Sequence, residues 1–308
     1  MYFKAKASLN TTPEGLSDMS LVCLVSCDTK ESVRRTGGSK GGGGGSKPVM
    51  SEQDDDEGDG NKKYDKTVAL TLDDGPHNIR TKAIVDELDK YGYNATFFVV
   101  GNRVDGTEYN GVSAMKYAYE HGNEIGIHGY THRTDRYYDS CSDEIYKLEL
   151  SSTEKAIKDN IPGYNVRLMR PVGGKITEKR IQTCKYSVIM WNVDSEDWRH
   201  QYSTSGTDEA NAHRDQIVEN VMSQVSDGSI ILMHDIYQST VDAVVEILKQ
   251  LNEQGYGVVT VSELIGKSLS AGVKYTKRAA SNPQQACIDR AELLIYCTNI
   301  KENFGGLC

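Results

Sequence analysis

Val68-Ala69-Leu70-Thr71-Leu72 is an apolar run that stops abruptly at Asp73-Asp74-Gly75-Pro76. No other feature of the chain restricts its fold as strongly. Ionised groups in apolar surroundings are very costly unless they are paired or bind a metal. Successive side chains on a strand face opposite ways, so one site can use both carboxylates only where the strand ends. Gly75 permits unusual backbone angles and Pro76 cannot continue a ladder, which supplies that ending. Taken alone, the same tetrapeptide slightly favours a solvated turn.

The pattern recurs. Glu124-Ile125-Gly126-Ile127 ends at His128 and continues Gly129-Tyr130-Thr131-His132. Histidines four apart share one side of a helical turn and can hold one metal ion. A chain with seven histidines offers such a pair by chance often enough that one core and one surface histidine is the competing reading. Two imidazoles and a carboxylate leave coordination positions open, as a catalytic zinc requires. Val166-Arg167-Leu168-Met169-Arg170 runs into Pro171-Val172-Gly173-Gly174. Val188 to Val193 ends at Asp194, followed by Ser195-Glu196-Asp197-Trp198. Ser229-Ile230-Ile231-Leu232-Met233 ends at His234-Asp235.

With 95–100 and 257–261 these runs make seven candidate strands, each reading as buried on both faces, as in a parallel sheet. Helix-like stretches at 80–91, 111–121, 142–160, 212–226 and 240–253 lie between them, with Gly92, Gly122 and Gly255 placed as C-terminal caps. The alternation predicts an α/β architecture with parallel strands. Polar residues gathered at the C-terminal ends of barrel strands read as catalytic.

The ordered set Thr71 to Pro76, His128 with His132, Arg170 to Gly174, Asp194 to Trp198 and Leu232 to Asp235 resembles the five motifs of the polysaccharide deacetylases, the NodB-homology enzymes of carbohydrate esterase family 4. The resemblance runs from near Lys66 to near Gly266. It implies a deformed (β/α)7 barrel with its active site at the C-terminal strand ends, and metal-dependent removal of acetyl groups from amino sugars or from acetylated xylan. Two departures stand out. Gly129 sits where the family usually has Ser or Thr. Val172 and Gly173 replace the Pro and Tyr often found in the third motif.

On this reading Asp74, His128 and His132 hold a divalent metal, zinc by default, with Co2+, Ni2+ or Mn2+ as alternatives. Asp73 is the general base, and Arg170 holds it ionised. His234 is the general acid, oriented by Asp194. A backbone N–H near Gly173 meets the oxyanion. Trp198 and Leu232 wall the acetyl methyl, although Trp198 reads nearly as well as a core aromatic. Asp197 is either a supporting or a substrate-contacting residue. His77 has no required role, and His200 and His213 lie in a polar stretch and read as solvated. The substrate is a GlcNAc-containing polymer, peptidoglycan or a chitin-like oligomer, cleaved by a monomer. Acetyl-xylan esterase, inactive glycan-binding relative and non-haem iron oxygenase are the competing functions. The oxygenase requires a double-stranded β-fold, against the strand–helix alternation.

Residues 1–65 contain Gly41 to Gly45 and the acidic run Asp54 to Glu57, and read as flexible linker. Leu24-Val25-Ser26-Cys27 resembles a degenerate lipoprotein cleavage box, which would anchor a cell-surface or extracellular enzyme through Cys27. No stretch approaches the roughly 20 apolar residues of a membrane span. Residues 66–266 form the catalytic domain, and 267–308 a tail without a functional reading. Cys141 and Cys184 read as thiols rather than a disulfide. A formal charge of −9 argues against a nucleic-acid partner.

Overall fold

The computed structural model describes residues 64–106, 111–135 and 137–279. Strands and helices alternate: β1 (Lys66–Asp73), α1 (Arg80–Asp89), β2 (Thr96–Val99), α2 (Gly101–Asp105), α3 (Gly111–Glu120), β3 (Glu124–Ile127), α4 (Asp143–Asn160), β4 (Leu168–Met169), α5 (Glu178–Gln182), β5 (Ser187–Ile189), β6 (Val193–Asp194), α6 (Asp208–Met222), β7 (Ile230–His234), α7 (Gln238–Glu253), β8 (Tyr256–Val258), α8 (Val261–Ile265) and β9 (Lys274–Tyr275). The sheet runs β6-β7-β1-β2-β3-β4-β5-β9, with β8 on β1. Every strand pairing in it is parallel. This is a deformed α/β barrel, open between β5 and β6.

The period of two along β1 builds both sides of the wall. Val68, Leu70 and Leu72 face outward into the large core shared with the helices. Ala69 faces inward and packs with Phe98, Leu168, Ile189 and Ile230 from neighbouring strands. Val261, Leu264 and Ile265 of α8 complete this inner cluster. Thr71 and Asp73 continue the inward column, so alternation alone carries a carboxylate into the barrel mouth.

Nine strands are described instead of the expected seven. The run 188–193 breaks into β5 and β6 because its carbonyls turn inward. Arg170 Nε donates to Ile189 O at 3.1 Å and Nη2 to Met190 O at 3.1 Å, while the Asn192 side chain accepts from Ile230 N at 2.9 Å. The run 257–261 is also not one strand. The Thr260 hydroxyl accepts from Glu263 N and the Glu263 carboxylate accepts from Thr260 N, a capping box that turns Val261 into the start of α8.

The remaining extra strand lies beyond 266, in the expected tail. β9 lies along β5, Ser229 and Lys277 form an antiparallel bridge, and Arg278 N donates to Gly228 O at 2.9 Å. The segment 274–278 therefore spans the opening between β5 and β7. Gly92, Gly122 and Gly255 all take the positive φ expected of helix-ending residues. Helix α6 begins at Asp208, four residues before the expected start, because Thr207 caps it through Ala210 N. Cys141 and Cys184 are free thiols. The leader-like run and Cys27 lie outside the described residues. Among those described, no helix is long and apolar enough to cross a membrane.

Candidate active site

Strand pairing sets the first contacts. Asp73 is opposite His234 in the β1–β7 pair and opposite Phe98 in the β1–β2 pair. Beyond Asp73 the chain turns sharply, since Asp74 takes φ 72°, a left-handed value that Asp tolerates better than most residues. That turn lets two sequence neighbours serve one centre. Asp74 is held from behind by Arg103, whose Nη1 donates to Asp74 O at 2.6 Å.

His128 leaves the end of β3 and is buried. Its Nδ1 is 2.9 Å from Arg170 O, which turns Nε2 toward the carboxylates, 3.4 Å from Asp74 Oδ1 and 3.6 Å from Asp73 Oδ2. His132 Nε2 is 2.9 Å from the same Asp74 Oδ1. The histidines are not on a helical turn as their spacing predicts. They sit on an irregular loop with left-handed φ at Gly129 (82°) and His132 (49°). One ligand atom from each of Asp74, His128 and His132 falls within 4.8 Å of the others. Asp74 Oδ1 is buried and has no protein hydrogen-bond donor. An orphaned carboxylate oxygen facing two imidazole nitrogens, one fixed through its other nitrogen, is the donor set a zinc-like cation requires.

Burial alone would raise the Asp74 pKa. The His128 and His132 imidazoles that face it outweigh burial and hold the carboxyl well below the usual carboxylate range. For His128, burial lowers and Asp73 and Asp74 raise, with a net rise.

Arg170 is fully buried, with its guanidinium 4.5 Å from the Phe98 ring centroid. Its Nη1 donates at 2.8 Å to both Asp73 Oδ1 and Thr71 Oγ1. All three nitrogens of this cation donate, and Asp73 presents its second oxygen toward His128.

His234 is not oriented by Asp194. Asp194 pairs with Leu232, two residues short of His234, and its Oδ1 accepts from Glu196 N at 2.9 Å. The chain then turns through Glu196 at φ 53° and brings Asp197 forward. Asp197 Oδ1 lies 2.7 Å from His234 Nδ1, and Oδ2 accepts from His234 N at 2.7 Å and Thr240 Oγ1 at 2.6 Å. Asp197 is wholly buried, which removes it from the substrate-contacting set. Burial lowers the His234 pKa, but the Asp197 charge and hydrogen bond, with Asp74 and Asp73 behind them, push it up to about 10. Trp198 is 45% exposed, hence no core aromatic, whereas Leu232 is buried.

Both motif departures have neighbours that account for them. A Cβ on Gly129 would lie 2.6 Å from Tyr138 Oη, in a backbone conformation that already disfavours side chains. The loop is braced instead by Glu149 of α4, whose carboxylate accepts from Tyr130 N at 2.7 Å, Thr131 N at 2.9 Å and Thr131 Oγ1 at 2.6 Å. A Cβ on Gly173 would lie 3.0 Å from the Tyr137 ring, which fills the space beside it. Glu149, Arg103 and Thr240 carry no spacing signal and were not legible in the sequence. His77 turns out to be structural: its Nδ1 accepts from Ile79 N and Arg80 N at the start of α1.

Residues 60–187 match the family model described as polysaccharide deacetylase. The chain is 38% identical over 205 residues to the peptidoglycan-N-acetylmuramic acid deacetylase PdaC of Bacillus subtilis, covering 65% of this chain and 38% of that protein. It is 32% identical over 219 residues to the peptidoglycan-N-acetylglucosamine deacetylase PgdA of Listeria monocytogenes, covering 71% of this chain and 43% of that protein. The matched segment is thus less than half the length of these two relatives. A solved structure of a variant of the Bacillus subtilis PdaC superposes with TM-score 0.56 at 37% identity, covering 65% of this chain and 89% of that one. Sequence, fold and the gathered motif residues agree, and the chain belongs to the polysaccharide deacetylase family.

Proposed function

We propose that this chain is a metal-dependent hydrolase that removes N-acetyl groups from a GlcNAc-containing polysaccharide outside the cell membrane, peptidoglycan being the polymer. The observation that carries the reading is the convergence of Asp74, His128 and His132 on one point, with Asp73–Arg170 on one side and His234–Asp197 on the other. A divalent cation held by Asp74, His128 and His132 supplies Lewis acidity and a bound water of lowered pKa.

Asp73 Oδ2 accepts the proton that the attacking water loses as its oxygen adds to the acetyl carbonyl. Arg170, whose Nη1 donates to Oδ1 at 2.8 Å, keeps Asp73 aimed until then. The Gly173 N–H donates to the oxygen that becomes negative. His234 is held protonated by Asp197 and donates to the amine nitrogen as the C–N bond breaks. The products are acetate and a free amino sugar. Trp198 offers an exposed ring face, and Leu232 an apolar wall, to the acetyl methyl.

The test is acetate release by the full chain, metal-stripped and then reloaded with zinc, on peptidoglycan, chitin oligomers and acetylated xylan. Zinc-dependent release from the amino-sugar substrates is expected. Release from xylan alone would make it an ester hydrolase. A folded, metal-loaded protein that releases none would leave a glycan-binding role.

A further inference from the structure

The space beside the altered third motif is occupied from another loop. Tyr137, beyond His132 on the segment that follows β3, brings its ring beside Gly173, where a Cβ would lie 3.0 Å from ring atom Cε1. Lys175, two residues past Gly173, places its Nζ over the same ring, 4.3 Å from the centroid. Backbone contacts fix both sides of this arrangement. Tyr138 and Ile176 form a parallel bridge, Tyr137 O accepts from Cys141 N at 2.9 Å, and Tyr138 O accepts from Arg180 Nη1 at 2.8 Å.

Lys175 is exposed and makes no ion pair among the described residues, whereas Arg180 is paired with Asp143. An ammonium resting on a phenol ring meets the ring from one side and keeps N–H groups free for an anion. Its distance from Gly173 is at most one phenol ring and two contacts. Gly173 is the proposed donor to the acetyl oxygen. An anion that meets Lys175 therefore belongs to a substituent on the sugar carbon next to the acetamido group. A hydroxyl there offers the ammonium a weak partner, and a carboxylate offers a charge-assisted one.

We propose that Lys175, seated on Tyr137, is a specificity-determining residue that selects N-acetyl sugars carrying a carboxylate on the substituent beside the acetamido group. The inference rests on the deacetylase reading above and narrows it: within peptidoglycan the favoured sugar is the one bearing the lactyl ether, not the neutral one. Tyr137 restricts the ammonium in advance, which reduces the entropy lost when the carboxylate binds.

Acetate release by the zinc-loaded full chain is followed on two glycans of matched length: peptide-free strands of peptidoglycan, which carry lactyl carboxylates, and chitin oligomers, which carry none. The wild type should show the higher kcat/KM on the acidic strands, and added sodium chloride should erode that preference. Lys175→Gln should cut the preference about fivefold, the worth of one exposed ion pair, through KM rather than kcat. Lys175→Glu should cut it further and Lys175→Arg should restore it. Equal preference in the wild type and Lys175→Gln overturns the proposal, as does a wild type that favours the neutral oligomers. The same glycans are titrated calorimetrically into Asp73→Asn, where turnover does not intrude, with and without Lys175→Gln. A wild type that releases no acetate from either glycan sinks the hydrolase reading, whereas a calorimetric preference that Lys175→Gln leaves intact sinks the subsite.

Discussion

Asp73 and Asp74 are chemically identical neighbours, and their surroundings separate them. Asp73 faces inward onto a fully buried guanidinium, while Asp74 turns away at positive φ toward two imidazoles. Asp73→Asn should therefore keep the bound metal and lose activity by about 10²–10⁴-fold, the usual range for general acid–base groups. His128→Ala should lose both, read by bound zinc and acetate release. Asp197 and Asp194 are separated by a sharper test. Asp197→Asn removes the charge that opposes burial at His234, so the His234 pKa falls from about 10 toward the ordinary imidazole range. In the proposed mechanism His234 serves the leaving amine in its protonated form, so the basic limb of kcat/KM against pH should move to lower pH. In Asp194→Asn that limb should stay in place. Read from sequence, His234 pairs with Asp194, and Asp197 has a supporting or substrate-contacting role; the left-handed residue Glu196 between them brings Asp197 to His234 instead.

At the scale of elements, the loop after β3 matters most. Its histidines were legible from their spacing, but its conformation was not, since it depends on Glu149 from α4 and on Tyr138 beside Gly129. Glu149→Ala should weaken zinc binding by about 10–100-fold, as loss of a group supporting metal ligands commonly does. Denaturant stability should change little, because Glu149 is only half-buried; zinc titration beside urea unfolding checks both. In β1, Leu70 is fully buried in the outer core, and Leu70→Ala should cost about 2–5 kcal/mol in urea unfolding. That strand was readable from hydrophobic runs alone. The β5–β6 break was not, because it follows from backbone carbonyls turning to a cation that lies some twenty residues earlier in the chain.

For the whole molecule, the weak place is the opening between β5 and β6. The segment 274–278 crosses from β5 to the start of β7, and Tyr275 packs against the inner cluster. A chain ending at 279 should therefore unfold at higher urea than one ending at 266, with bound zinc checked in both. Nothing in the composition of that segment marks it as part of the barrel. What the sequence determined by itself was the parallel α/β class, the chain order of the polar strand ends and the His128–His132 pair, because buried runs, their ends and histidine spacing are local properties; the family resemblance, not the spacing, assigned the metal to Asp74 and the base role to Asp73. Only the tertiary structure decided that Asp197 and not Asp194 supports His234, that Glu149 and Tyr137 stand beside the two altered motifs, and that residues 274–278 of the expected tail line the open barrel. Each of those depends on strand register or on a side chain arriving from another element, and neither is written in any local stretch of sequence.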